Sequence, residues 1–191
     1  MLRPGVPYQL QSDSISKTRR TLEMHRNLDI ITQIRHLMLS GLIDDITIAN
    51  AYASEEELKM ASEIFFSQNI SIRVSVLEGI TTVERKCLFE SLHAYRGDCS
   101  EYMLRSSMKR FQYKGEQFSP HNTLQIKPGH ILIDNELYGQ YKGEMQIALK
   151  EMENDGRVNV IGKVVEEDMI LLNYLKPWAS FKLIESNERR E

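Results

Sequence analysis

The sequence has little cysteine: Cys87 and Cys99 are the only two among 191 residues. A disulfide framework or a zinc knuckle needs more of them at regular spacing, so both are excluded. Long apolar runs are missing as well. No stretch approaches the roughly 18 residues that span a bilayer, and the N-terminal MLRPGVPYQLQ lacks the apolar centre of a signal peptide. Positive charge is not in excess either, with 24 Lys and Arg against 27 Asp and Glu. The balance holds on both sides of residue 74, with 8 basic against 9 acidic residues before it and 16 against 18 after. Neither part offers the basic surface that phosphate neutralisation requires. The five histidines are scattered without metal-ligand spacing, and there is no repeat or low-complexity tract. These absences predict a cytoplasmic protein with no metal, no cofactor, and no nucleic-acid or membrane partner.

What is present is globular material, 41% hydrophobic, enough to bury a core in one large domain or two small ones. Residues 1–20, with Pro4, Gly5 and Pro7, show no sustained period and read as a loop. From Leu28 through Ile31, Ile34, Leu37 and Met38 the apolar residues recur at helical spacing, predicting a helix over about 28–40 between an Asn27 cap and Gly41. Residues 44–50 alternate like a short strand. Ser54 and Glu57 form a capping box that opens a second helix. Helix, strand and helix with short joints are the grammar of an α/β layer with parallel strands.

Beyond residue 70 the pattern changes. Ile70, Ile72, Val74 and Val76 alternate with polar residues, and Thr81 with Glu84 caps another helix. Short strands are then predicted at 101–105, 122–126, 130–134, 144–149 and 157–165, with a helical turn near 166–175 and a last strand at 181–184. Glycines and prolines separate them. Many short strands with one or two helices suggest a small closed barrel.

Several side chains carry chemistry. Glu23, His25 and Arg26 place an acid, an imidazole and a guanidinium within four residues, suited to sugar hydroxyls and a phosphate, or to a Glu23–Arg26 pair at a helix start. Asp134 and Glu136, two apart, would share one face of a strand. Paired carboxylates serve glycoside hydrolysis, but here they border turn residues, which favours a structural or sugar-contacting part. Arg105 and Arg157 sit among apolar neighbours and are expected to pair with Asp134, Glu136 or Glu144. Cys87 lies on an apolar helix face and reads as core.

Beyond these single residues, nine segments stand in one order: Thr21–Arg26, Ile43–Ile48, Ala53–Leu58, His93 with Arg96, Ser100–Ser106, Asp134–Gly139, Gly143–Ile147, Arg157–Gly162 and Pro177–Trp178. Together they resemble the C-terminal portion of the bacterial 6-phospho-N-acetylmuramidase family, from about Thr21 to Ile184. The resemblance implies an N-terminal (β/α)8 barrel followed by a cyclophilin-like domain. It also implies hydrolysis of N-acetylmuramic acid 6-phosphate–N-acetylglucosamine in recycling of cell-wall sugars. A whole barrel takes roughly 250 residues, more than this chain can hold beside a second domain.

The fold expected is therefore an α/β segment, the end of an incomplete TIM-type barrel over 1–70, then a mainly-β cyclophilin-like barrel domain over 71–185 and a frayed tail over 186–191. On that frame Glu23, His25, Arg26 and Asn50 follow barrel strands and would touch a phosphorylated amino-sugar ligand, with Asn135 and Tyr141 contributing from the second domain. No residue is assigned as catalytic, since the family's catalytic carboxylates are expected in the earlier part of the barrel. A partner chain could supply the remaining strands. Two other readings stay open: a stand-alone sugar- or peptide-binding module of cyclophilin-like fold, and an inactive truncated gene product.

Overall fold

A computed structural model describes residues 8–11, 22–50, 53–67 and 69–186. The chain divides into two compact units, one of residues 1–70 with 170–174, the other of residues 71–169 with 175–191. Among the described residues no helix is long and apolar enough to cross a membrane.

In the first unit, strand β1 (Tyr8–Gln11) precedes a single 3-10 turn (Glu23–His25), helix α1 (Ile30–Ser40), strand β2 (Ile46–Asn50) and helix α2 (Glu55–Ser67). β1 and β2 pair in parallel, Tyr8 opposite Ile46. The strand corrects the loop expected over 1–20. Its Tyr-Gln-Leu-Gln alternation is a period-2 signal, but only four residues long and preceded by Pro7. α1 starts two residues later than predicted because Asp29, not Asn27, is its cap and accepts from the Thr32 N–H at 2.9 Å. Gly41 closes the helix in the left-handed conformation that a glycine there provides. The capping box at Ser54 and Glu57 is formed. Ile30, Ile31, Ile34 and Leu37 on α1 and Ala61 on α2 make the unit's core.

The second unit runs through β3 (Ile70–Val76), α3 (Thr82–Phe89), β4 (His93–Ala94), β5 (Met103–Ser106), α4 (Met108–Gln112), β6 (His130–Asp134), β7 (Met145–Ala148), β8 (Val158–Val164) and β9 (Ser180–Glu185), while most of the short helix α5 (Met169–Leu172) belongs to the first. Seven of the strands form one sheet in the order β4-β9-β3-β8-β6-β7-β5. The sheet nearly closes on itself, because the Arg96 N–H, just beyond β4, donates to the Arg105 carbonyl of β5 at 3.0 Å. That leaves little edge exposed. Gly162 on β8 faces the β3 backbone so closely that a Cβ would lie 2.8 Å from the Ser75 carbonyl oxygen. No strand forms at 122–126. Ile126 makes a lone bridge to Met152, and the segment is bounded by Pro120, Asn122 at positive φ and Pro128, which do not continue a ladder.

Strand register decides which side chains share a face. Leu132 of β6 stands opposite Gln146 of β7, and Gln146 opposite Arg105 of β5. These three point to one side of the sheet, as does Asp134, two residues beyond Leu132. Ile131, Ile133, Ile147 and Leu104 point to the other side and are fully buried there. β6 is buried on both faces, so a carboxyl group at its end has little contact with water.

Candidate functional site

The face carrying Leu132, Asp134, Gln146 and Arg105 floors a cleft of about 380 Å³, within the range of small-molecule pockets. Tyr138 and Tyr141 stand at one side, on the 3-10 turns of Glu136–Tyr141, and the 152–158 segment at the other. Gly139, at φ 58°, lets the chain kink between the two tyrosines.

Asp134 is 1% exposed. The Gln146 side-chain amide donates to its Oδ2 at 3.0 Å, while Oδ1 is buried without a hydrogen-bond partner among the described residues. Burial, and next the nearby Glu144 carboxylate, push the acid up to about 8 against the opposing pull of Arg105, Arg157 and Arg110. At neutral pH Asp134 is therefore mainly the neutral acid. Gln146 engages Oδ2 and leaves Oδ1 as the oxygen without a partner.

Glu144, also fully buried, is held by arginines. Arg105 reaches its Oε1 with Nε at 2.6 Å and Nη2 at 2.5 Å, Arg110 lies 3.5 Å from Oε2, and Arg96 lies 3.9 Å from Oε1. The pairing expected for Arg105 is thus with Glu144. Arg157 instead pairs with Asp155, its Nε 2.7 Å from Oδ2, and the reason is location: it precedes β8 and is exposed. The guanidinium groups also cover the tyrosines, Arg157 at 4.4 Å from the Tyr138 ring and Arg105 and Arg110 at 5.6 and 5.3 Å from Tyr141. Tyr138 and Tyr141 meet edge to face at 5.3 Å.

A second buried network holds the cleft's floor. Glu84, on the first turn of α3, takes hydrogen bonds from the Thr81 N–H at 2.9 Å and the Thr81 hydroxyl at 2.8 Å, completing the capping box. Asn159 donates to it at 2.9 Å, and His121 Nε2 lies 2.9 Å from both its oxygens. Asn159 Oδ1 in turn accepts from Asn135 at 3.0 Å. The network fixes the residue directly after Asp134.

Of the residues singled out from sequence, Tyr141 lines the cleft. Asn135 lies buried beside it. Its amide donates to Gly156 and Asn159, and its Oδ1 accepts from the Leu137 N–H, a cap on the 3-10 turn. Asp134 and Glu136 do not share a strand face, because β6 ends at Asp134 and Glu136 begins the turn, exposed. In the first unit Glu23 and Arg26 pair on the surface. His25 turns inward, its Nε2 2.7 Å from His36 Nδ1, and burial, with His36 beside it, lowers it to about 4. Asn50 ends β2, but its side chain lies outside the described residues. Cys87 is fully buried and its thiol is pushed up to about 12 by that burial. Gln146 was legible only as a polar residue inside the alternation Met145–Gln146–Ile147. The sequence does not show that it orients Asp134.

The described residues define a two-unit α/β protein whose second unit is a nearly closed seven-stranded sheet with a ligand-sized cleft. The chain belongs to the 6-phospho-N-acetylmuramidase family: residues 8–63 match its N-terminal part and residues 70–184 its C-terminal part. It is similar to a crystal structure of an uncharacterized B. cereus protein, at 38% identity and a TM-score of 0.86, over 94% of this chain and 53% of that one. A conserved Enterococcus faecalis protein of unknown function shares the fold, at 23% identity and a TM-score of 0.74, over 95% of this chain and 50% of that one. The chain thus spans about half the length of these two relatives. No curated protein matches it.

Proposed function

We propose that the chain forms part of a 6-phospho-N-acetylmuramidase. Its reaction would be hydrolysis of the glycosidic bond between N-acetylmuramic acid 6-phosphate and N-acetylglucosamine, in cytoplasmic recycling of cell-wall sugars. The observation that carries this reading is the pair of family matches, in order and covering most of the chain. On this reading the β1–α1–β2–α2 unit is the end of a (β/α)8 barrel, which its parallel strand pair supports. The second unit is the cyclophilin-like domain. The other barrel strands, with the family's catalytic carboxylates, come from outside these 191 residues, a partner chain being one source. Glu23, His25, Arg26 and Asn50 are the ligand contacts proposed for the barrel end. Asn135 and Tyr141 are those proposed for the second unit, Asn135 acting through the backbone it orders.

A second reading has its own support. The second unit has a complete core and its own cleft, as a ligand-binding module would. Hydrolysis and binding of the phosphorylated disaccharide, measured on the purified chain, separate the two. Turnover would place the catalytic acid within these residues and overturn its assignment elsewhere. Binding without turnover is expected for a chain that holds ligand and lacks the other strands, or for the module. Absence of both would refute the family activity for this chain.

A further inference from the structure

We infer that the pocket between α4 and the 139–142 turn binds a nucleoside di- or triphosphate, with its phosphates on Arg110, Lys114 and Lys142 and its base stacked on Phe111. The site lies outside the cleft described above, and the inference goes beyond the enzyme reading without depending on it.

Charge sets the sign of the ligand. Arg110, Phe111, Lys114, Gly139, Gln140 and Lys142 line a pocket of about 450 Å³ that holds three cations and no acid. Among the described residues neither lysine is engaged by a carboxylate, and Lys142 Nζ donates only to the Glu116 backbone carbonyl, at 2.8 Å. Arg110 has a carboxylate, Glu144, 3.5 Å away, but shares it with Arg105 at 2.5 Å and Arg96 at 3.9 Å. The one other acid beside this trio is the exposed Asp98, 2.5 Å from Arg96 and 4.0 Å from Arg105. Three guanidinium groups against two carboxylates leave one positive charge unmatched, and Lys114 and Lys142 add two more. Arg110 Nε is moreover buried without a hydrogen-bond partner among the described residues, the state in which a polar group gains most from a ligand. A multiply charged anion fits such a set, since each charge-assisted contact is strong and no acid repels it.

Shape narrows the class. The pocket is concave and of small-molecule size. The chain has no overall basic excess, with 24 Lys and Arg against 27 Asp and Glu, so this is a local site for a small anion and not a track for a nucleic-acid strand. Phe111 is 61% exposed in the pocket wall. A ring beside cations is how single bases are held, the ring taking the flat face of the base and the cations its phosphates. Arg110 joins the two parts. Its guanidinium lies 4.7 Å from the Phe111 ring and 5.3 Å from that of Tyr141, which fixes it in place before a ligand arrives. A sugar phosphate fits less well, because Gln140 is the one uncharged polar side chain of the lining to meet several hydroxyls.

The test is calorimetric titration of the purified chain, at low salt and without metal ions, with ADP, inorganic pyrophosphate, adenosine and glucosamine 6-phosphate, with NMR to place the site. ADP is expected to bind at least about tenfold tighter than each of the other three, and to shift the Phe111 ring and the Gly139 amide. Its affinity should fall as salt rises. Phe111→Ser should bring ADP down to the affinity of pyrophosphate. Lys114→Gln combined with Lys142→Gln should weaken ADP and pyrophosphate together, by about tenfold or more. Urea unfolding followed at Trp178 checks that the variants fold, and if Phe111→Ser does not, the ranking of the four probes on the wild-type chain decides. Pyrophosphate or glucosamine 6-phosphate binding as tightly as ADP would overturn the inference. So would shifts confined to the cleft residues Met152 and Tyr138, or no binding of ADP.

Discussion

Replacing Asp134 by asparagine should stabilise the second unit, and should do so increasingly as pH rises from about 4 to about 8. The acid titrates near 3.8 when unfolded and near 8 in the folded protein. Between those values the folded state binds more protons than the unfolded state, so stability falls as pH rises from about 4 to about 8 and is level above that. Roughly four pKa units at about 1.4 kcal/mol each set a ceiling of about 5–6 kcal/mol on this cost. Asparagine is nearly isosteric, can still accept from Gln146, and has no proton to lose. Wild type and Asp134→Asn should therefore have similar stability near pH 4. At pH 8.5 the variant should be more stable by several kcal/mol, up to about that ceiling. Trp178 is the only tryptophan and belongs to the second unit, so urea unfolding followed by its fluorescence reports the right part of the chain. The other titrating groups act equally in both proteins, which leaves the difference in slope to Asp134. Parallel stability–pH curves would refute the argument that burial, helped by Glu144, keeps this acid neutral.

Three further outcomes are expected. Glu84→Ala removes the acceptor shared by Thr81, His121 and Asn159 and should cost about 3 kcal/mol or more in urea unfolding; a loss below about 1 kcal/mol would deny the network a structural part. In Gly97→Ala the new Cβ would lie 2.2 Å from the Trp178 ring, but that ring is 78% exposed and can swing away. The expected cost is therefore small, about 1 kcal/mol or less, with a clear change in tryptophan emission; an unchanged spectrum would mean the ring does not rest on Gly97. Burial holds His25 near 4 and keeps His36 below its usual value. The unfolded state thus binds more protons below about pH 6.5, and the first unit should lose stability as pH falls from 6.5 toward 4. Hydrogen exchange in α1, corrected for intrinsic rates, should show less protection at pH 5 than at pH 7, and equal protection would refute the buried neutral pair.

The local devices were the easiest to read. Both capping boxes, at Ser54–Glu57 and Thr81–Glu84, are set by residues three apart and are formed as their spacing predicts. The strands with sustained alternation or apolar runs, Ile70–Val76 and Val158–Val164, were legible for the same reason. Where a signal was short or contested, reading failed. β1 offers only four residues of alternation, and α1 had two competing caps, Asn27 and Asp29, two residues apart. The 122–126 segment has strand-like composition, but Pro120 and Pro128 deny it a ladder.

The cleft was the least legible part, because its properties belong to pairs of residues far apart in sequence. Asp134 could be recognised as a carboxylate at a strand end. Its raised acidity range depends on burial that comes only from a strand covered on both faces, and on Glu144, which reaches it across the β6–β7 turn. Glu144 in turn lies buried beside three arginines, at positions 96, 105 and 110; Arg105 reaches it from β5, the strand paired with β7, and Arg96 comes near because the sheet nearly closes between β4 and β5. A buried carboxylate matched by arginines and a buried acid without such a match are a consistent division: the first holds the barrel's open side together, and the second is left with one oxygen to offer. Removing Glu144 should then do two opposite things, leaving three arginines short of an anion while drawing Asp134 back toward ionisation. A Glu144→Gln variant that lost stability but kept the wild-type pH slope would break the proposed link between the two acids.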